Sequence, residues 1–245
     1  MSKVEGRNPV VELLKGERKV EKVLILKSAQ GRVIDKIYSL AHKKDIPIKE
    51  TTKDELNGLA KSHAHQGVIA LAESLDYLAL DNLIKQVKEK SSAPFLLLLD
   101  EIQDPHNFGS ILRTAEAAGV DGIIIPKRRA VGFTPVVTKT SAGAVEYLPV
   151  AQVTNLARTI ERLKEERFWV SGADLDAEQS CYQADLTGSL ALVIGSEGSG
   201  MRRLVKEKCD FLVKMPMEGR IESLNASVAA GVLIYEALRQ RNEEG

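Results

Sequence analysis

Between residues 95 and 213 the chain carries five short runs of almost uninterrupted apolar residues. They are Phe95-Leu96-Leu97-Leu98-Leu99, Ile123-Ile124-Ile125, Phe168-Trp169-Val170, Leu190-Ala191-Leu192-Val193-Ile194 and Phe211-Leu212-Val213. A strand with one wet face alternates apolar and polar residues, whereas a continuous run marks a strand covered on both faces. Helix-like segments separate several of these runs. The pattern therefore predicts an α/β domain with a mostly parallel sheet and helices on both of its faces.

Residues 1–72 read as a second, smaller α/β unit. Val10–Leu14 has the makings of a short helix, with Asn8 as its cap and Pro9 in the first position, where no N–H is needed. Val20–Leu26 reads as a strand, Arg32–His42 as a helix from the spacing of Val33, Ile37 and Leu40, and Val68–Leu71 as a further strand. Ile46-Pro47-Ile48 fits only a sheet edge, because proline cannot donate to a ladder. Residues 73–94 are weakly amphipathic, then charged, and end in Pro94, which predicts a connector between a first domain of residues 1–72 and a second of residues 95–245.

Composition narrows the function classes. The 245 residues are 44% hydrophobic, enough for a substantial core, but only 4% aromatic, so gripping nucleic acid by stacking on many rings is disfavoured. A formal net charge of zero gives no global basic field. The two cysteines, Cys181 and Cys209, form neither a disulfide framework nor a metal-binding pair, and His63 and His65 flank one alanine with no evident third ligand, so no metal is expected. With no signal-like core at the N-terminus and no run of membrane-spanning length, a cytoplasmic protein without a membrane partner is expected.

Three polar patches sit where apolar runs end. In Asn107-Phe108-Gly109-Ser110-Ile111-Leu112-Arg113-Thr114, Asn107 suits a helix cap, Gly119 a helix stop, and Arg113 lies on the second turn. A capped helix with a solvated arginine accounts for these residues equally well. Gly195-Ser196-Glu197-Gly198-Ser199-Gly200 follows a buried strand and precedes the helix-like Met201–Lys208. Its glycines allow a ligand close to the backbone, but the spacing is not that of a dinucleotide or phosphate loop, and Glu197 opposes a phosphate. A nucleoside or cationic ligand suits it better, and a plain glycine-rich turn is the alternative. The third patch, Ser223-Leu224-Asn225-Ala226-Ser227, opens the last helix, where Leu224, Val228, Val232, Tyr235 and Leu238 recur at helical spacing and read as core rather than as an oligomer face. Lys127-Arg128-Arg129 follows the end of a strand, the place where open α/β sheets bind ligands, which makes it a candidate phosphate contact.

Taken together, the three patches resemble the motifs of the SpoU/TrmH family of RNA ribose 2′-O-methyltransferases, in the SPOUT class. Asn107, Gly109, Arg113 and Thr114 fit the first motif, Gly195, Glu197 and Gly200 the second, and Ser223, Leu224, Asn225, Ser227 and Ala229 the third, over about residues 94–241. The resemblance implies a deep C-terminal trefoil knot, an exception to the rule against knots. It also implies S-adenosylmethionine bound against Ile194, Gly195, Gly200, Met215 and Leu224, and catalysis by Arg113, Glu197, Asn107, Asn225 and Ser223, with Glu197 orienting Arg113 or the ribose. A homodimer, an N-terminal RNA substrate-binding domain and an RNA partner follow as further expectations, with the branch acting on a guanosine ribose of 23S ribosomal RNA the most similar. A transfer RNA ribose methyltransferase and a non-catalytic RNA-binding assembly factor of the same fold are the competing readings.

Overall fold

A computed structural model describes residues 1–60, 65–221 and 223–243. In chain order the elements are β1 (Ser2–Glu5), α1 (Arg7–Lys15), β2 (Val20–Leu26), α2 (Arg32–Lys43), β3 (Ile48–Thr51), α3 (Lys53–Leu59), β4 (Val68–Ala72), α4 (Leu80–Lys90), β5 (Phe95–Leu99), α5 (Pro105–Ala117) and β6 (Gly122–Pro126). They continue with α6 (Pro135–Thr140), a 3-10 turn at Ala144–Glu146, β7 (Val150–Val153), α7 (Leu156–Glu165), β8 (Trp169–Ala173), β9 (Gln179–Ser180), β10 (Leu190–Ile194), α8 (Arg203–Lys208), β11 (Phe211–Lys214) and α9 (Ala226–Glu243). Two compact units result: Met1–Asp76 with Gly132–Tyr147, and Tyr77–Val131 with Leu148–Gly245.

The first unit is built on a four-stranded sheet of order β1-β4-β2-β3. β4 runs antiparallel to β1 and β2, and β3 runs parallel to β2 at the edge. Pro47 stands just before that edge strand and contributes only its carbonyl, which accepts from the Val23 N–H at 2.9 Å. Val10, Leu13 and Leu14 of α1 and Ile34 and Ile37 of α2 close the core over Val23 and Ile25. Asn8 does not cap α1. The helix starts two residues earlier, from Gly6 at φ 102°, with no side-chain cap, and Pro9 falls third in the first turn, where a missing N–H is equally harmless. The segment 132–147 belongs to this unit, although it is drawn from far along the chain. A Cβ on Gly143 would stand 2.4 Å from that of Glu12, so glycine permits the close approach, and Glu146 is buried against Arg18 at 2.7 Å.

The second unit is a seven-stranded sheet of order β7-β6-β5-β10-β8-β11-β9 in which every neighbouring pair is parallel. The five apolar runs form its five inner strands, although Trp169, at the start of β8, is 62% exposed. Leu96 and Leu98 face a cluster that holds Leu83, Ile84 and Val87 of α4 and Leu156, Ile160 and Leu163 of α7. The pleat turns Leu97 and Leu99 to the opposite face. There α9 packs on α5 and on β10. The stretch expected as a connector thus contains α4, a helix of this core, joined to the sheet beside β7 by a bridge between Leu78 and Ala151.

The face that α9 buries also differs from the one its sequence suggested. Ala226, Ala230, Leu233, Ile234 and Ala237 are buried, while Val228 and Tyr235 are 51% and 52% exposed. The small residues let α9 approach α5 closely, with a Cβ on Gly231 placed 3.8 Å from Thr114 Cγ2, and Val228 and Tyr235 are left facing outward. No helix among the described residues is long and apolar enough to cross a membrane.

Candidate active site

β10, β8 and β11 are neighbours in the sheet, and their C-terminal ends open into a cavity of about 380 Å³. Ile194, Ala173 and Val213 line it from the strand ends. The Gly195–Gly200 turn, the Asp174–Asp176 loop, Met215, Ser223, Leu224 and Ala229 complete it. All five residues expected at a cofactor, Ile194, Gly195, Gly200, Met215 and Leu224, therefore border one space.

The turn is shaped by its glycines. Ser196 and Gly200 exchange both backbone hydrogen bonds at 3.0 Å, and Gly198 and Gly200 adopt φ of 82° and 64°. A Cβ on Gly195 would lie 2.2 Å from the carbonyl carbon of Gly200, so no other residue fits there without moving backbone.

Glu197 holds the turn to two helix starts. Its Oε1 accepts from Asn107 Nδ2 at 2.9 Å, from Asn225 Nδ2, and from the Ala226 N–H at 3.1 Å. Asn225 Nδ2 also donates to Asn107 Oδ1 at 3.0 Å. Asn225 Oδ1 accepts from the Ser227 N–H at 3.0 Å and the Ser227 hydroxyl at 2.6 Å, and so caps α9. Asn107, by contrast, is not the cap of α5. Asp104 is, accepting from the His106 and Asn107 N–H groups with Pro105 in the first turn, and this frees the Asn107 side chain to reach Glu197.

Arg113 lies further along α5, exposed and without an ion-pair partner among the described residues. Of the two expected roles of Glu197, orienting Arg113 or the ribose, no Glu197–Arg113 ion pair is present among the described residues, and Glu197 Oε1 is held by the two asparagines. Neither Arg113 nor Lys127, Arg128 and Arg129 borders the cavity. The three basic residues are exposed just beyond β6, where Arg129 Nη1 lies 3.1 Å from Glu101 Oε1.

Sequence reading missed Asp174, Leu175 and Asp176, whose signal was their position directly after an apolar strand. Lys206 binds Asp174 at 2.8 Å, and that carboxylate holds its ammonium above the usual lysine range. Cys209 lies under the sheet end, where burial pushes its thiol up to about 12, so it stays protonated and unreactive. His65 is structural: the Gly67 N–H donates to its Nδ1, which leaves Nε2 to donate to Asn57 Oδ1, both at 3.1 Å. His63 lies outside the described residues.

The lining suits a molecule with a flat apolar ring and a positive charge. Leu175 and Leu224, both exposed, stand with Ile194 and Met215 for the ring, and Asp174, Asp176 and Glu197 outnumber Lys214 in the lining, although Lys206 pairs with Asp174. Residues 94–235 match the family described as SpoU rRNA Methylase, and residues 3–78 match the one described as RNA 2′-O ribose methyltransferase substrate binding. The chain belongs to the SpoU family. Its relatives in that family include YacO of Bacillus subtilis (strain 168), named for the TrmH family of tRNA/rRNA methyltransferases. The two are 51% identical over 242 residues, which span 99% of this chain and 97% of YacO. The fold is also that of the SpoU methyltransferase AviRb from Streptomyces viridochromogenes, solved in complex with the cofactor AdoMet (TM-score 0.81, 26% identity, 97% of this chain and 89% of AviRb). A crystal structure of an RNA 2′-O ribose methyltransferase superposes with a TM-score of 0.79 at 26% identity, over 97% of this chain and 88% of the other.

Proposed function

We propose that this chain transfers a methyl group from S-adenosylmethionine to the ribose 2′-OH of a guanosine in 23S ribosomal RNA. Membership of the SpoU family makes it an RNA methyltransferase; the atom, the nucleotide and the RNA are the finer reading. The observation that carries it is the cavity at three strand ends, with its floor tied by Glu197 to Asn107 and Asn225.

S-adenosylmethionine, when bound, supplies a methyl already activated on a sulfonium. The chain then has to align an RNA hydroxyl with that methyl and handle one proton. Gly195, Gly200, Ile194, Met215 and Leu224 hold the donor, and the carboxylates of the lining oppose its positive charge. Bound there, the sulfonium would give its methyl to the ribose 2′ oxygen and leave as a neutral thioether, and the hydroxyl proton would pass to a phosphate or to water. Arg113 serves this step as a fixed cation, since a guanidinium stays protonated in proteins. It orients a substrate phosphate and stabilises charge developing on the 2′ oxygen. Glu197 acts through the turn it clamps rather than as the base, and Ser223 lies at the rim for the ribose.

Lys127, Arg128 and Arg129 contact RNA phosphates, and the region of residues 1–72 recognises the RNA. That added substrate-binding region supports ribosomal over transfer RNA. Val228 and Tyr235, seven residues apart on one face of α9 and both half exposed, are compatible with a homodimer face. The family resemblance adds the C-terminal knot as the arrangement that gathers the three motifs. Single-turnover methylation by Arg113→Ala and Arg113→Lys tests the central role: both fall by at least about a hundredfold if the fixed fork is needed. Near-normal rates in both remove Arg113 from the mechanism.

A further inference from the structure

The residue directly after Met201 is tied to the end of β5 by an ion pair that the reaction scheme does not use. Asp100 is completely buried, and its own N–H continues the sheet by donating to the Ile194 carbonyl at 2.8 Å. Its Oδ2 accepts the Arg202 backbone N–H at 2.8 Å. Its Oδ1 accepts Arg202 Nε at 2.8 Å and lies 2.7 Å from Nη2. One carboxylate thus fixes both the main chain and the guanidinium of one residue, a charge-assisted and directional arrangement. Gly195 stacks directly on the Gly200–Met201 peptide, as the 2.2 and 2.4 Å approaches of its notional Cβ show. Whatever fixes Arg202 therefore fixes the floor of the cavity.

The guanidinium has a second acidic neighbour. Arg202 Nε lies 3.6 Å from Glu101 Oε1, the same oxygen that Arg129 reaches at 3.1 Å. Glu101 and Arg129 both hold positive φ, 61° and 59°, a conformation uncommon for such residues. The Val131 N–H donates to the Ile102 carbonyl at 3.0 Å and keeps their two loops side by side. Asp100, Arg202, Glu101 and Arg129 form a chain of alternating charge that runs from the buried end of β5 to the exposed basic loop after β6.

We propose that Arg202, gripped by Asp100, is the positioning residue for the Gly195–Gly200 turn, and that Glu101 ties this clamp to Arg129, so that the basic loop sets the affinity of the donor cavity. This rests on the reading of that cavity as the S-adenosylmethionine site. With Arg129 in place, Glu101 is shared, and Arg202 stays with Asp100. Without Arg129, Glu101 has Arg202 as its sole cation among the described residues and draws it away from Asp100, loosening the turn.

The test is calorimetric titration of the full chain with S-adenosylmethionine in the absence of RNA, with kcat measured at saturating donor. Arg202→Lys keeps the N–H and the charge but loses the fork, so Kd rises about tenfold while kcat stays within about twofold. Arg129→Met, at an exposed position outside the cavity, raises Kd about threefold, and adding Glu101→Gln restores it to within about 1.5-fold of the parent, the non-additivity of a shared network. A pair that only braces the fold gives the reverse: Arg202→Lys lowers Tm and the active fraction at unchanged Kd. That result, or an Arg129→Met chain that binds the donor as the parent does, overturns the proposal. A parent chain that binds no S-adenosylmethionine overturns the underlying reading, and this one with it.

Discussion

Glu197 and Asn107, ninety positions apart in sequence, meet at 2.9 Å through Oε1 and Nδ2, and that contact ties the turn of one strand to the start of a helix that follows another. Asn225 completes the triangle from the last helix. Three segments that share no local structure are thereby held in one arrangement.

The two asparagines differ in what they do besides this. Asn225 also caps α9, whereas Asp104 relieves Asn107 of any capping duty. Asn225→Ala should therefore destabilise the protein by about 1 kcal/mol more than Asn107→Ala, the usual worth of a cap. Both should reduce methyl transfer. Urea unfolding of the two variants checks the difference, and equal stabilities contradict the capping assignment.

Gly195→Ala places a methyl group where the Gly200 backbone already stands. Binding of S-adenosylmethionine should fall below detection by calorimetry. Gly172→Ala is milder, because its Cβ meets side-chain ends rather than backbone: Met201 Cε at 2.7 Å and Cys209 Sγ and Leu212 Cδ2 at 2.9 Å. A Gly195→Ala chain that binds as the parent does refutes the placement of the turn.

Glu146 gives the first unit a pH dependence of definite sign. Burial pushes its carboxyl from 4.5 up to about 6, with Arg18 opposing the rise. The folded state therefore binds more protons than the unfolded one between these values, and stability falls as pH rises through them. The contribution is fully present below about pH 4.5 and gone above about pH 7, a loss of about 2 kcal/mol. Glu146→Gln, which cannot ionise, should flatten that part of the stability profile. Parallel profiles for parent and variant across pH 4.5–7 contradict the assignment.

Most of the second unit's sheet is legible from sequence because its inner strands are covered on both faces and so carry no alternation. β7 and β9 escape because they are short and lie at the edges, and Gln179-Ser180 has no apolar residue at all. Helix α4 hides behind its charge: Lys88-Glu89-Lys90 and Ser91-Ser92 obscure Leu83, Ile84 and Val87, which are spaced for one buried face. In α9 the larger side chains mislead. Packing against α5 selects alanines for the inside, a tertiary demand that periodicity alone does not reveal. The cap of α5 was available in the Asp104-Pro105 pair, a stronger helix-start signal than Asn107 two residues later. Ile194, Gly195 and Gly200 were readable as a glycine turn after a buried strand, whereas Asp174–Asp176 are marked only by their position at a strand's C-terminal end.

If the basic loop after β6 contacts phosphates, Lys127→Ala with Arg128→Ala should weaken RNA binding similarly across RNA sequences and lower the slope of log affinity against log salt by about one to two. Neither side chain joins the Glu101 ion pairs that involve Arg129 and Arg202, so donor affinity should be unchanged. An unaltered salt slope removes the loop from the RNA path.

Purified chain is incubated with isotopically labelled S-adenosylmethionine and, in parallel, protein-free 23S ribosomal RNA or transfer RNA, each RNA is digested to nucleosides, and the labelled product is identified by mass spectrometry. The predicted result is 2′-O-methylguanosine at one site, lost in Arg113→Ala. Label on a base, or 23S ribosomal RNA left unlabelled while transfer RNA is methylated, contradicts it.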